Sequence, residues 1–90
     1  MIEATKHFVE WQKMVVIDNN ITDWEIKNTG GGDGICLKNS HIIICTPNEY
    51  ALFLHEVAHA ITPKHGHDGY FADRFTGLCK RYLEPKNKNK

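Results

Sequence analysis

The chain has no excess charge of either sign, no paired cysteines and no long apolar run. Its 11 Lys and Arg balance 11 Asp and Glu over 90 residues, so no polyelectrolyte field covers the whole molecule. The three cysteines, Cys36, Cys45 and Cys79, are odd in number and form no CxxC pair. That pattern argues against both a disulfide framework and a thiolate zinc ribbon, and it fits a reducing, cytoplasmic setting. Apolar runs stop well short of the ~20 residues that a bilayer demands, so no membrane partner is expected. The opening "MIEATKHFVEWQ" lacks the basic start, apolar stretch and cleavage site of a secretory signal. A soluble, single-domain protein is the expectation, and a chain this short buries only roughly 60 to 65 % of its unfolded surface.

Two uneven stretches invite other readings. Residues 74 to 90 carry Arg74, Lys80, Arg81, Lys86, Lys88 and Lys90 against Glu84 alone. The ending "EPKNKNK" has no aromatics to stack on bases, so residues 85–90 read as a basic disordered tail and no nucleic-acid partner is expected. The run Gly30-Gly31-Gly32-Asp33-Gly34 lacks the Lys-Ser/Thr of a phosphate-cradling loop and leads into no helix, so it reads as a connector.

What the chain does have is histidine in one place. Four of its six histidines fall within "LFLHEVAHAITPKHGHDGYF", residues 52 to 71, with Glu56 between the first two. The neighbouring elements give this stretch its setting. Phe8, Trp11 and Val15 recur at helical spacing and predict an amphipathic first helix. "MVVIDNN" and "ITDWEIKNT" read as short strands separated by Asp18-Asn19-Asn20, a turn-forming trio. "GICLKNSHIIIC" reads as a hairpin turning at Lys38-Asn39-Ser40. "TPNEYALFLHEVAHAITP" predicts a helix opened by a Thr46-x-x-Glu49 capping box and stopped near Ile61 by Pro63. A last helix, capped by Asp68, presents Phe71, Phe75, Leu78 and Tyr82 and packs back on the one before it.

On the central helix Leu54, Val57, Ala58 and Ile61 form an apolar stripe, while His55 and His59 lie one turn apart on a single face. Zinc takes imidazole nitrogens at about 2.0 to 2.1 Å, and two histidines at i and i+4 supply two of them from one rigid element. Glu56 is turned about 100° from His55 by the helical period, which sets its carboxylate beside the metal rather than on it. There it could hold and deprotonate a metal-activated water, the arrangement of H-E-x-x-H hydrolases. Surface histidines merely one turn apart are the bland alternative, but this is the most apolar helix in the chain, and imidazole and carboxylate groups are costly to bury without partners. A third ligand is expected from His65 or His67, just after the helix; His41, on a strand, is a minor candidate.

The series "ICLKNSHII", "LHEVAHA" and "GHDGYF" resembles the SprT-like and related minimal zincin metalloproteases, over roughly residues 15 to 83. The resemblance implies an α+β, minimal zincin-like domain over residues 1–84: a small antiparallel sheet packed on an HExxH active-site helix and a C-terminal helix. It implies Zn2+ as cofactor and His67, in His67-Asp68-Gly69-Tyr70-Phe71, as the third ligand beside His55 and His59. Asp68 departs from the glycine usual there. A metzincin spacing would choose His65 instead, but its glycine position is Thr62. The expected activity is hydrolysis of peptide bonds in a peptide or protein substrate, with Glu56 as general base and Tyr70 as a weak candidate for stabilising the oxyanion. The strand "HIIIC" is expected to offer its edge to an extended peptide. The alternative is a zinc-stabilised binding or regulatory module without hydrolase activity, since a small core gains from a metal staple.

Overall fold

The structure, a computed structural model, describes residues 3–29, 34–62 and 69–83. In chain order these form α1 (Lys6–Asp18), β1 (Glu25–Asn28), β2 (Ile35–Leu37), a 3-10 turn (Lys38–Ser40), β3 (Ile42–Cys45), α2 (Tyr50–Ile61) and α3 (Gly69–Tyr82). The glycine run up to Asp33, the loop holding His65 and His67, the Asp68 cap and the tail from Glu84 onward lie outside the described residues. The class is α+β, with helices covering one face of a small sheet.

Helix α1 starts at Thr5, whose Oγ1 accepts the Phe8 N–H at 3.1 Å. It runs through Met14–Asp18, correcting the strand that the β-branched residues there predict. Periodicity overrides propensity here. Phe8, Gln12, Val15 and Val16 lie on one buried face, so the two valines extend the stripe that Phe8 begins. The expected turn does end the helix, with Asn19 Nδ2 donating to the Val15 carbonyl at 2.8 Å and Asn20 in the left-handed region at φ 59°.

The sheet is mixed, in order β1-β3-β2. The expected hairpin forms: β2 and β3 are antiparallel, with Ile35 opposite Ile44 and Leu37 opposite Ile42. His41 closes the turn in the left-handed region at φ 57°. The fully antiparallel sheet expected from the sequence is corrected by β1, which pairs with β3 in parallel, Glu25 to Ile42 through Asn28 to Cys45. The reason is burial. Strand β3 sends Ile43 and Cys45 into the core at 0 % and 1 % exposure, so it takes the centre, while β1, with Glu25 and Lys27 facing water, suits an edge. The connection from Asn28 to Ile35 is too short to cross back along the sheet, so β1 and β2 run in opposite directions on either side of β3, and β1 lies parallel to it.

Helix α2 ends at Ile61 as expected, but it begins at Tyr50, three residues later than a Thr46 cap would set it, and the capping box does not form. Glu49 is the N-cap and makes no side-chain cap bond. Instead Asn48 adopts φ 66°, and its amide accepts the Thr5 N–H at 2.9 Å and donates to the Glu3 carbonyl at 3.1 Å. A tertiary latch onto the segment leading into α1 replaces the local cap. At the other end Thr62 Oγ1 donates to the Ala58 carbonyl at 2.5 Å, and Lys38 of the hairpin turn donates to the Thr62 carbonyl.

The core lies between the sheet and the helices. Phe8, Val15, Ile43, Phe53, Leu54 and Val57 are fully buried, and Tyr50 meets Phe8 and Trp11 edge-on at 4.9 and 4.6 Å. Helix α3 packs on α2 through Phe71 and Leu78, as its spacing predicts. Tyr82 closes the structure by donating to Asp18 Oδ2 at 2.8 Å. No helix among the described residues is long and apolar enough to cross a membrane.

Candidate metal centre

The apolar stripe of α2 fixes which way its polar residues face. With Leu54, Val57 and Ala58 at 0 % exposure in the core, His55 and His59 turn toward α3. Their rings stand 4.9 Å apart, nearly perpendicular. Phe71 lies 5.1 Å from the His55 ring and 4.4 Å from that of His59, and Phe75 lies 5.5 Å from His55. Two aromatic rings thus wall in two imidazoles. The sequence places Phe71 and Phe75 only on the packing face of α3. Their i, i+4 spacing, matching that of the histidines, was the signal for this second role.

Among the described residues Glu56 is the one buried charged side chain, at 4 % exposure. Its Oε2 lies 3.0 Å from His55 Nδ1. An ionised carboxylate only accepts hydrogen bonds, so beside it the contact is made by the Nδ1–H tautomer of His55, whose lone pair is on Nε2. That tautomer suits a metal ligand. One potential ligand atom from each of His55, Glu56 and His59 falls within 4.8 Å of the others. The set is rich in nitrogen, half-buried and backed by a carboxylate, which fits zinc better than an oxygen-seeking ion such as calcium.

Gly34, at the head of β2, reads as part of a connector in the sequence, but its position is tight. A Cβ there would sit 3.0 Å from Glu56 Cγ, 3.1 Å from Oε2 and 3.1 Å from the Ile44 carbonyl oxygen. The missing side chain is what lets the hairpin backbone lie directly against the carboxylate. Gly34, Ala51, Leu52, His55, Glu56 and Phe75 line a cleft of about 470 Å³, within the range that takes a small ligand or a few residues of peptide. The charge of Glu56 is also felt across the sheet. Burial pushes the Cys36 thiol up to about 11, with Glu56 adding to the rise, and burial then Glu56 push Cys45 up to about 12.

His55, Glu56 and His59 are therefore brought together. His65 and His67, the expected sources of a third ligand, lie outside the described residues, and α3 begins two residues after His67. His41 is engaged elsewhere, with Nδ1 2.9 Å from Asp23 Oδ2 and its ring stacked 4.7 Å from that of Trp24. Tyr70 lies on the first turn of α3, 60 % exposed. The expectation that "HIIIC" offers an edge is corrected: β3 is paired on both sides, and among the described residues the edge beside the cleft belongs to β2. Comparison with protein-family models, with curated proteins and with solved structures finds no match to this chain.

Proposed function

We propose that this chain is a small zinc metallopeptidase of the minimal zincin kind, with His55 and His59 as metal ligands, His67 as the third, and Glu56 as general base. The observation that carries the reading is a buried carboxylate held 3.0 Å from one imidazole of an i, i+4 pair and open to a cleft. Burying such a charge costs several kcal/mol unless it is partnered, and the cleft gives this carboxylate an open side that a closed structural zinc site does not use.

Bound zinc would supply electrophilic polarisation of a carbonyl and of a water. The protein's own groups do the rest. Glu56 takes a proton from the water as its oxygen forms a bond to the carbonyl carbon, then gives that proton to the amine nitrogen as the carbon–nitrogen bond breaks. The Glu56 contact to His55 Nδ1 fixes the ring that carries the ligand nitrogen. Strand β2 leads from Gly34 past the carboxylate, so a peptide hydrogen-bonded along its outer edge would be held through main-chain groups.

The experiment is Glu56→Gln, compared with wild type for zinc content and for cleavage of denatured proteins and a peptide library. We expect one zinc per chain in both proteins, lost in His55→Ala and weakened far more by His67→Ala than by His65→Ala. Cleavage should fall by about 10²- to 10⁴-fold in Glu56→Gln, the usual worth of a general base. Absence of stoichiometric metal after zinc reconstitution would overturn the metal reading. One tight zinc with no cleavage by wild type, and unfolding on its removal, would make the chain a zinc-stabilised binding module instead.

A further inference from the structure

The helices cover one face of the sheet, and the strand pairings define what the other face presents. Glu25, Ile42 and Leu37 stand side by side in one row across β1, β3 and β2, and Lys27, Ile44 and Ile35 in the next. All six belong to the face opposite Ile43 and Cys45, which point into the core. Ile35 and Leu37 are 49 % and 41 % exposed, and Ile42 and Ile44 are half-buried. Single exposed aliphatics are ordinary, but four in register make a contiguous patch. Beside it, Glu25 and Lys27 touch only at 3.9 Å and stay largely in water, a contact that costs little to exchange.

We propose that this outer face is a self-association surface, occupied by a second copy of the chain in a two-fold, face-to-face dimer. The argument is the charge pattern. A two-fold axis lying in the interface and running across the strands between the two rows sets each row against the other row of the partner. Glu25 then faces the partner's Lys27 and Lys27 the partner's Glu25, while Ile42 meets Ile44 and Leu37 meets Ile35. Every apolar residue faces an apolar one and both charges find their opposites, which is the self-complementarity an isologous interface requires. The sheets would stack at the usual ~10 Å. The His55–Glu56–His59 site lies on the helix-covered side, so both copies keep their clefts open.

Three short strands make a small interface, so the dissociation constant should be on the order of 10 to 100 µM, at the weak end of specific association. Sedimentation velocity on the full chain, from about 10 µM to about 1 mM, should show a concentration-dependent monomer–dimer equilibrium. Glu25→Lys or Lys27→Glu alone sets like charges against each other twice and should weaken the dimer at least about tenfold. The double swap Glu25→Lys/Lys27→Glu restores both opposite pairs and should return the constant to within about threefold of wild type. Ile44→Thr, which keeps a β-branched residue in the strand, should weaken the dimer while circular dichroism and melting stay near wild type. A monomer throughout that range would overturn the proposal and leave the face to a partner of another sequence. A dimer equally strong in both single charge variants would overturn it as well, by placing the contact elsewhere.

Discussion

Gly34→Ala tests the structure where hairpin and carboxylate meet, and it needs no substrate. Replacing glycine by alanine reduces the conformational entropy of the unfolded chain, which by itself stabilises by about 0.4 to 1 kcal/mol. At position 34 the new methyl would sit 3.0 Å from Glu56 Cγ and 3.1 Å from both Glu56 Oε2 and the Ile44 carbonyl oxygen. The carbonyl belongs to the central strand and cannot move cheaply, so Glu56 must give way. Its escape lengthens the 3.0 Å contact to His55. Overpacking of this kind costs about 1 to 3 kcal/mol, so the variant should be net destabilised by roughly 0.5 to 2 kcal/mol. Gly77, inside α3, provides the contrast, because a Cβ there meets nothing within 4 Å. Gly77→Ala should stabilise by about 0.5 to 1 kcal/mol through helix propensity. The two variants should differ by about 2 kcal/mol, or about 8 to 16 °C in Tm for a domain of this size. Thermal melts and urea titrations of metal-free protein measure this, and zinc titration should show weaker binding in Gly34→Ala only. Equal or higher stability for Gly34→Ala would refute the close approach of β2 to Glu56.

Cys36 should report the charge of Glu56. Its thiol is pushed up from 9.0 to about 11, by burial first and Glu56 second, so in metal-free protein its alkylation should rise with a midpoint near pH 11 and shift lower in Glu56→Gln. Because the folded state holds this proton, and that of Cys45, more tightly than the unfolded chain does, their contribution to stability is complete below pH 9. It should be lost as pH rises through 11 and 12. A midpoint unchanged by Glu56→Gln would place the carboxylate elsewhere. Gln12, 3 % exposed, and Asn28 exchange amide hydrogen bonds of 2.9 and 2.8 Å between α1 and β1. Gln12→Leu should cost about 1 to 3 kcal/mol in denaturant unfolding by stranding Asn28, and Gln12→Leu/Asn28→Val should recover part of that loss.

The sequence by itself determined the elements whose signals are local and periodic. Helix α2 with its i, i+4 histidines, the β2–β3 hairpin, the turn at Asn19 and Asn20 and the aromatic stripe of α3 follow from spacing and turn chemistry that act over a few residues. His55 and His59 share a face because 3.6 residues make a turn, whatever surrounds them. Tertiary structure decided where local preferences competed. Val15 and Val16 favour strands, yet they are helical because Phe8 needs neighbours on the same buried face. Thr46 and Glu49 could form a cap, but Asn48 instead latches the segment leading into α1. The parallel pairing of β1 with β3, and with it the loss of a free edge on Ile42–Cys45, came from competition for the buried centre of the sheet, which no single strand encodes. Gly34 and Phe75 joined the neighbourhood of Glu56 for the same reason. Each lies about 20 residues from Glu56 along the chain, and only the packing of β2 and α3 against α2 brings them to it.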